Sequence, residues 1–330
     1  MKNNPLRILS FILLLQFACV TGFSQSISST DKKQLAKKED SLRILARQII
    51  LDSATEDRMV SDSQFIRTLV RTLLIKNSFY YPLDSVIGVS KIYAPDTSFR
   101  IITWNISFSD YWHRQHGVIQ MKPVNGVSKF IPLIDWSEMT TKAEDSVRTN
   151  KNWIGAVYYN IIRTQFKGKN FYTLFGIDYN SVRSNKKWIE VMAFNEKNEP
   201  VFGGPYFSFD KDTIPKPPRF RHYIEYKKDA ATLVNFILDE KMILVDHLIS
   251  ETDEPDNKWT FVPDGDYEGF KWENGKWMHV EKVFTFKLQD GQAPVGEMLM
   301  DPRGNKNEEK LKEKSDKNTK PKPKENYPNY

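Results

Sequence analysis

The spacing of apolar residues changes twice along the chain and so marks its first and last structural elements. Over residues 26–82, apolar side chains recur three, four or seven positions apart among charged ones in two groups: Leu35, Leu42, Leu45 and Ile49, and then Phe65, Leu69 and Leu73. That spacing places them on one face of a helix. We predict two amphipathic helices, with Ser61 as N-cap of the second, that end before Pro82. Each has one apolar stripe, so we expect it to pack on a larger body or on the other helix.

From about residue 85 the pattern becomes short runs of β-branched and aromatic residues separated by turn signals. Six pairs of runs are predicted as hairpins: 86–93 with 99–108, 118–122 with 127–133, 156–166 with 171–177, 188–194 with 201–202, 232–238 with 242–245, and 267–272 with 277–286. Asn274-Gly275 is a strong turn signal because both residues accept positive φ. Ile102, Trp104, Ile106 and Phe108 alternate along one run and are expected to share a face.

Hairpin following hairpin predicts an all-β fold, an antiparallel meander with an N-terminal helical segment. A sandwich, an open barrel and a propeller all suit such a meander, although no repeat of fixed period supports the propeller. One helix is predicted inside the body, at 137–147, which is too few for alternating β-α units. The predicted parts are a signal peptide at 1–24, the helical segment at 25–82, the β body at 83–290 and a disordered charged tail at 291–330.

The first residues have the order typical of a cleavable secretory signal. Lys2 and Arg7 precede and flank an apolar run that ends near Val20, and small and polar residues follow up to Ser24. We therefore expect cleavage after Ser24 and export to the periplasm or cell envelope, with no transmembrane segment left after cleavage; an uncleaved anchor is the alternative. Cys19 is the single cysteine and lacks the preceding residues of a lipid-attachment motif, so we expect it to leave with the signal.

The net charge of +6 does not indicate a nucleic-acid-binding surface. Lys2, Arg7 and an excess of three positive charges within residues 301–330 account for all but one of these charges. The folded part is therefore nearly neutral, and a nucleic-acid partner is not expected. Residues 301–330 are rich in Lys, Asn, Glu and Pro and contain one leucine, a composition that does not bury enough apolar surface to fold.

Motifs of several common enzyme classes are missing from the sequence. It has no phosphate-binding Gly-Lys-Ser/Thr loop, dinucleotide glycine fingerprint, Gly-x-Ser-x-Gly elbow or His-Glu-x-x-His helix. We predict no cofactor. Each missing motif excludes one architecture only, because a hydrolase that uses carboxylates dispersed along the chain has no linear signature.

The densest group of polar and aromatic residues lies at 110–116, between two predicted strands. Its candidate ligand-binding residues are Tyr111, Trp112, His113 and His116. A spacing of three would bring the two histidines together on a helix but points them to opposite faces of a strand. The segment therefore suits a pocket lining better than a metal site. The simpler interpretation is a structured connection in which Trp112 covers the core.

Asp264, Asp266 and Glu268 occupy the first, third and fifth positions of a calcium-loop pattern, with Gly269 at the sixth. The twelfth position, which should be a bidentate Glu, is Gly275. Proline, aspartate and glycine at 263–265 also favour an ordinary turn. We therefore predict no metal site here and keep the three carboxylates as weak candidates.

Two further pairs are candidate ligand-binding residues. Asp246 and His247 end a predicted strand, where neighbours point to opposite faces and do not form a dyad. Trp272 and Trp277 flank the Asn274-Gly275 turn, and a hairpin tip is commonly exposed. Their indole rings would be available for stacking against a sugar, although packing in a β-rich core is the more common use of tryptophan.

Three blocks of sequence carry a resemblance to a family of exported proteins of Bacteroidota. They are residues 95–105, residues 171–174 with 187–191 and 200–203, and residues 246–248 with 262–267. The resemblance implies an exported, envelope-located protein of a Gram-negative cell and supplies no catalytic residue. It draws attention to Asp246, His247, Asp264 and Asp266.

These observations predict an exported envelope protein that binds another protein or a glycan without catalysis. One alternative is a hydrolase that acts on an envelope polymer through dispersed carboxylates and histidines. Another is a structural subunit whose N-terminal helices dock on a partner.

Overall fold

The helical segment and the β body are both present in a computed structural model, which describes residues 27–283. The helices are α1 (Ser29–Leu51) and α2 (Thr55–Leu73). The strands, in chain order, are β1 (Ser90–Tyr93), β2 (Phe99–Ser107), β3 (His113–Met121), β4 (Phe130–Leu133), β5 (Arg148–Thr149), β6 (Val157–Phe166), β7 (Lys169–Asp178), β8 (Ser184–Phe194), β9 (Pro200–Phe202), β10 (Phe207–Phe209), β11 (Lys216–Arg219), β12 (Arg221–Lys227), β13 (Val234–Ile237), β14 (Met242–Ser250), β15 (Phe261–Glu273) and β16 (Lys276–Val280). The predicted signal peptide (1–24), the predicted tail (291–330) and residues 284–286 of the last predicted strand lie outside the described residues.

The two predicted helices are confirmed, but the second begins earlier than expected. Ser28 caps α1 by accepting a hydrogen bond from the Asp31 amide at 3.0 Å. The prediction that Ser61 caps α2 is wrong, since Ser61 is buried inside that helix. Glu56 and Asp57 lie in its first turn, where negative charge stabilises the helix dipole. Within residues 27–283, no helix is both long and apolar enough to cross a membrane.

The strands form three sheets. Sheet I has the order β1-β2-β3-β4. Sheet II has the order β5-β9-β8-β7-β6, and β12 pairs with the first part of β8. Sheet III has the order β11-β10-β16-β15-β14-β13. All six predicted hairpins are confirmed as antiparallel neighbours, because their turns are local and encoded by adjacent residues.

The simple meander is wrong, and so is the propeller alternative. The chain leaves sheet II after β9, contributes β10 and β11 to sheet III, and returns to sheet II as β12 before it completes sheet III. β10 also pairs parallel to β16. Within the described residues these are three open sheets, and no closed barrel or propeller forms.

The helices and the three sheets stack as four layers with an apolar cluster between each neighbouring pair. The cluster between the helices and sheet I contains Leu42, Phe65 and Leu69 of the helices. It also contains Ile102, Trp104 and Ile106 of β2, and Phe108 packs against it, which confirms their predicted common face. Sheets I and II enclose a second cluster, and sheets II and III enclose a third. Sheets I and II are thus covered on both faces.

A buried ion pair fixes the long connection between β4 and β6. Arg221 Nε donates to Glu190 Oε2 at 2.8 Å, and both side chains are almost fully buried. Arg221 Nη1 donates to the carbonyl oxygens of Ala143 and Ser146, both at 2.7 Å. The helix predicted at 137–147 is wrong: the segment forms two short 3₁₀ turns, because carbonyls that would continue a helix bind this guanidinium instead.

Candidate functional site

A cleft of about 490 Å³ opens where α1 ends, α2 begins and one end of sheets I and II meet. Several distant segments of the chain contribute to it, and seven of its twelve lining residues are polar or charged. Its lining residues are Ile49, Ile50, Arg58, Gly88, Asn105, Ser107, Ser109, Asp110, His113, Val157, Tyr179 and Lys228. A volume of this size is typical of a small-molecule site.

Of the four candidate residues predicted at 110–116, His113 lines this cleft. Asp110, at the start of the same segment, also lines it. His113 begins β3 opposite Ser107 of β2, and its Nδ1 atom lies 3.5 Å from Asn105 Nδ2. Burial and the nearby Lys228 ammonium lower the pKa of His113 below its usual value. The imidazole is therefore neutral at pH 7 and offers one donor and one acceptor.

Lys228 supplies the cleft's partly buried positive charge. Its Nζ atom donates to the Tyr179 carbonyl oxygen at 3.0 Å and to Asn185 Oδ1 at 2.8 Å, and lies 5.5 Å from the centre of the Tyr179 ring. An ammonium has three N–H donors. Residues of the described range occupy two, so the third is available to a bound molecule. Burial lowers the pKa of Lys228 from its ordinary value.

A chain of amides behind the cleft sets the orientation of Asn105. Gln115 Nε2 donates to Asn105 Oδ1 at 3.3 Å and to Asp178 Oδ1 at 3.0 Å. Because Asn105 Oδ1 accepts, its Nδ2 group is the donor that faces His113 Nδ1. That arrangement favours the His113 tautomer with its proton on Nε2. Burial also raises the pKa of Asp178, which accepts a second hydrogen bond from the Asn180 amide at 3.0 Å.

Arg58 lines the cleft but serves the fold. Its guanidinium donates to the carbonyl oxygens of Asp52, Ser53 and Ser107 at 2.7–2.9 Å, and to Thr55 Oγ1 at 2.9 Å. These bonds join the connection between α1 and α2 to the end of β2. The charged groups of the lining that remain for a ligand are thus the Lys228 ammonium and the Asp110 carboxylate.

His116 faces the helices, away from His113, as the strand spacing predicts. Its Nε2 atom lies 3.2 Å from Asp62 Oδ2, and its ring stacks on Trp104 with centroids 5.4 Å apart. Trp112 covers Phe108, with ring centroids 4.3 Å apart. Tyr111 is exposed. The 110–116 segment therefore contributes His113 to the cleft, while Trp112 fits the simpler interpretation of a core-covering connection.

Asp246 and His247 point to opposite faces of β14, as predicted. Asp246 is buried and accepts from the Leu233 amide. His247 is half exposed, and its Nδ1 atom lies 2.8 Å from Asp264 Oδ2. Neither residue lines the cleft.

The three weak metal candidates do not converge, because each carboxylate has a different basic partner. Asp264 pairs with His247, Asp266 lies 2.7 Å from Lys282 Nζ, and Glu268 lies 3.0 Å from His279 Nε2. Among residues 27–283, no group of three or more acidic, histidine or cysteine side chains is arranged to hold a metal ion.

The expectation that the Asn274-Gly275 hairpin exposes its tryptophans is wrong. Trp277 is fully buried, and its Nε1 atom donates to Thr173 Oγ1 of sheet II at 3.0 Å. Trp272 is partly buried against Phe171, with ring centroids 5.8 Å apart. The hairpin tip packs on the neighbouring sheet, so these rings belong to the core between sheets II and III.

Sequence reasoning missed Asn105, Tyr179 and Lys228 of the cleft, because they come from separate strands and loops with no shared spacing. It also missed a buried cluster in which His279 Nδ1 lies 2.8 Å from Asp212 Oδ1 and Nε2 lies 3.0 Å from Glu268 Oε2. Both imidazole nitrogens are occupied by carboxylates, so this histidine has no atom left to exchange a proton with a substrate.

Comparison with known protein families, with curated proteins and with solved structures finds no match to this chain. The resemblance to exported proteins of Bacteroidota therefore stays a prediction, and the function is argued from the geometry of the cleft.

Proposed function

We propose that this chain is a non-catalytic binding module of the cell envelope whose cleft holds a sugar unit of a glycan. The observation that carries the proposal is the convergence of Asn105, His113 and Lys228 beside the partly exposed ring of Tyr179. An aromatic ring offers an apolar face to the C–H groups of a sugar, and fixed donors and acceptors around it match hydroxyl groups. Export to the envelope, expected from residues 1–24, is part of the same proposal.

The lining supports binding over hydrolysis. Glycosidic cleavage by the common route needs two carboxyl groups about 5–10 Å apart across the bond. Asp110 is the single carboxylate among the lining residues, and the neighbour of His113 is an amide. Asp178 lies behind Gln115 and does not line the cleft.

The helices offer less support to the structural-subunit alternative. The apolar stripes of α1 and α2 already pack against β2 in the cluster that contains Leu42, Phe65 and Trp104. A helix that docks on a partner through its apolar stripe needs that stripe uncovered.

The proposal is tested by titrating the full chain with soluble fragments of envelope glycans, using calorimetry. Tyr179→Ala removes the ring but keeps the carbonyl that Lys228 binds, and we expect it to weaken binding about tenfold. Tyr111→Ala is the matched control, because Tyr111 is an exposed tyrosine outside the lining and its loss should leave affinity unchanged.

Either of two results would contradict the proposal. One is equal affinity of the Tyr179→Ala variant and the unaltered chain for every fragment that binds. The other is the release of shortened fragments over time, which would favour the hydrolase. Thermal unfolding of each variant confirms that a loss of binding is not a loss of fold.

A further inference from the structure

A second cavity, which has no lining residue in common with the cleft, lies on the face of sheet I that the helices cover. It is a groove of about 320 Å³ between α2 and the edge of the sheet formed by β3 and β4, and we call it the α2–β4 groove. Its lining residues are Ile66, Leu69, Val70, Leu73, Trp104, His116, Gly117, Val118, Phe130, Pro132, Leu133 and Ile134. Native cores contain few voids larger than a water molecule, so a cavity of this size has the character of a ligand site.

The groove is long and apolar, with one polar end. His116 is the single titratable side chain in its lining, and the strand register places it beside the end of β4 that Ile134 follows. Phe130 lies at the other end, opposite Gln120. From His116 to Gln120 the strand advances about 13 Å, so the groove matches the extended shape of a hydrocarbon chain.

Asp62 holds the imidazole of His116 in place at the polar end. Asp62 Oδ2 lies 3.2 Å from His116 Nε2, and Asp62 Oδ1 accepts from Trp104 Nε1 at 2.8 Å. Asp62 is the one hydrogen-bonding partner of this ring among the described residues. Because Nε2 carries the proton that Asp62 accepts, Nδ1 is available as an acceptor, and a head group that is a neutral carboxylic acid can donate its proton to it. The His116 side chain keeps 25% of its surface exposed.

Apolar side chains also form the rim. Val70 of α2 and Ile134 after β4 line the groove, and they are 50% and 47% exposed. Leu74, one helical turn beyond Val70, is 66% exposed. Exposed hydrocarbon around a cavity is unfavourable in water and indicates a surface that a ligand covers.

We propose that the α2–β4 groove binds the single acyl chain of a free fatty acid, with the carboxyl head at His116. A peptide in the same place would need partners for its backbone N–H and C=O groups. β3 is paired on both sides within sheet I, and the walls of the groove are hydrocarbon. The outer edge of β4 offers few groups to a peptide, because Pro132 has no amide N–H, its carbonyl accepts from Asn150, and Ile134 already bonds residues 150 and 153. An acyl chain needs no such partners. This site is independent of the glycan cleft, since His116 and His113 lie on opposite faces of β3.

The first test is a chain-length series of saturated fatty acids from eight to sixteen carbons, titrated into the full chain by calorimetry. We expect one site per chain. Affinity should rise about fourfold per added methylene and then level off when the groove is filled. A negative heat-capacity change should accompany binding, because apolar surface is buried.

The second test uses substitutions at the rim and the polar end. Val70→Trp closes the mouth and should weaken dodecanoate binding about tenfold or more, since it excludes at least two methylenes. Val60→Trp is the matched control, because Val60 is 55% exposed on the same helix and lies outside the lining. His116→Gln keeps a donor for Asp62 but removes Nδ1. It should lower affinity about tenfold without changing the dependence on chain length.

Three results would overturn the proposal: no saturable binding of any fatty acid, equal weakening by Val70→Trp and Val60→Trp, or an affinity that still rises between fourteen and sixteen carbons. Binding to phospholipid vesicles without binding to free fatty acid would also overturn it and point to a membrane surface. A dimer in sedimentation that Val70→Trp dissociates, with no fatty-acid binding, would assign the groove to a second copy of the chain.

Discussion

Two buried histidines, His279 on β16 of sheet III and His222 on β12 beside sheet II, have opposite environments. Burial lowers the pKa of His279, but its hydrogen bonds to Glu268 and Asp212 outweigh burial and leave the pKa raised. Burial lowers the pKa of His222 to about 4, and neither of its ring nitrogens has a hydrogen-bond partner among the described residues. His279 is therefore favoured as the cation, while His222 is kept neutral in its apolar site among Phe207, Phe209 and Phe270.

These shifts predict opposite effects on stability. His222 has a lower pKa in the folded chain than in the unfolded one. Above pH 6.5 His222 is neutral in both the folded and the unfolded chain and does not reduce stability. As the pH drops from 6.5 towards 4, the unfolded chain binds a proton that the folded chain does not. The free energy of unfolding therefore falls by up to about 1.4 kcal/mol per pH unit. His222→Leu should remove this loss, so the variant should gain on the unaltered chain as pH falls. Urea unfolding between pH 4 and 7 measures the difference.

A His222→Leu variant whose stability runs parallel to that of the unaltered chain across this range would show that folding does not lower the pKa of His222. His279 acts in the other direction: its raised pKa gives stability that is complete below pH 6.5 and is lost as pH rises through the folded value.

At the scale of elements, the sequence predicted the features that depend on residues close together in the chain. It missed the features that depend on packing against a distant strand. The six hairpins follow from turn residues and alternation, and the opposite faces of His113 and His116 follow from strand periodicity. Trp277 was assigned to an exposed tip because the turn is visible in the sequence. The surface that covers that turn comes from β6 and β7, about a hundred residues away, and has no local signal.

Because the β15–β16 turn packs on sheet II, its Gly275 can be compared with Gly168 of the β6–β7 turn. Gly275 and Gly168 have similar positive φ values, 82° and 74°. A Cβ on Gly275 would lie 2.5 Å from Phe166 Cδ1, whereas one on Gly168 would meet nothing within 4 Å. Gly168→Ala should cost about 1 kcal/mol through backbone strain alone. Gly275→Ala should cost more, because Phe166 must also move.

Denaturant unfolding of both variants measures this difference in the free energy of unfolding. Equal costs would mean that the β15–β16 tip does not pack on Phe166, and that Trp272 and Trp277 have more freedom than their burial indicates. Far-UV circular dichroism of each variant checks that the sheets remain formed.

At the scale of the whole molecule, the four layers explain why the helices belong to the β body. Without α1 and α2, β2 would expose Ile102, Trp104 and Ile106 on one face. We predict that deletion of residues 27–77 abolishes cooperative thermal unfolding and produces strong binding of a hydrophobic dye. A truncated chain that still unfolds cooperatively would instead favour the structural subunit, in which the helices serve a partner.

The order of the four layers could not be read from the sequence. Each strand carries its own periodicity, but nothing in β10 or β12 indicates which sheet it joins, because that choice is made by pairing between distant segments. The cleft could not be predicted for the same reason. Asn105, Tyr179 and Lys228 meet only once sheets I and II are stacked.

The parallel pairing of β10 with β16 sets an order of assembly for a chain that emerges from the ribosome N-terminus first. The helices, sheet I and the β6–β9 part of sheet II are complete before residue 203 has appeared. β10 appears soon afterwards, yet its partner in β16 is synthesised about seventy residues later. Until then Phe207 and Phe209 have no third layer to join. Before β16 is available, one face of the central sheet therefore lacks the layer that covers it in the folded protein.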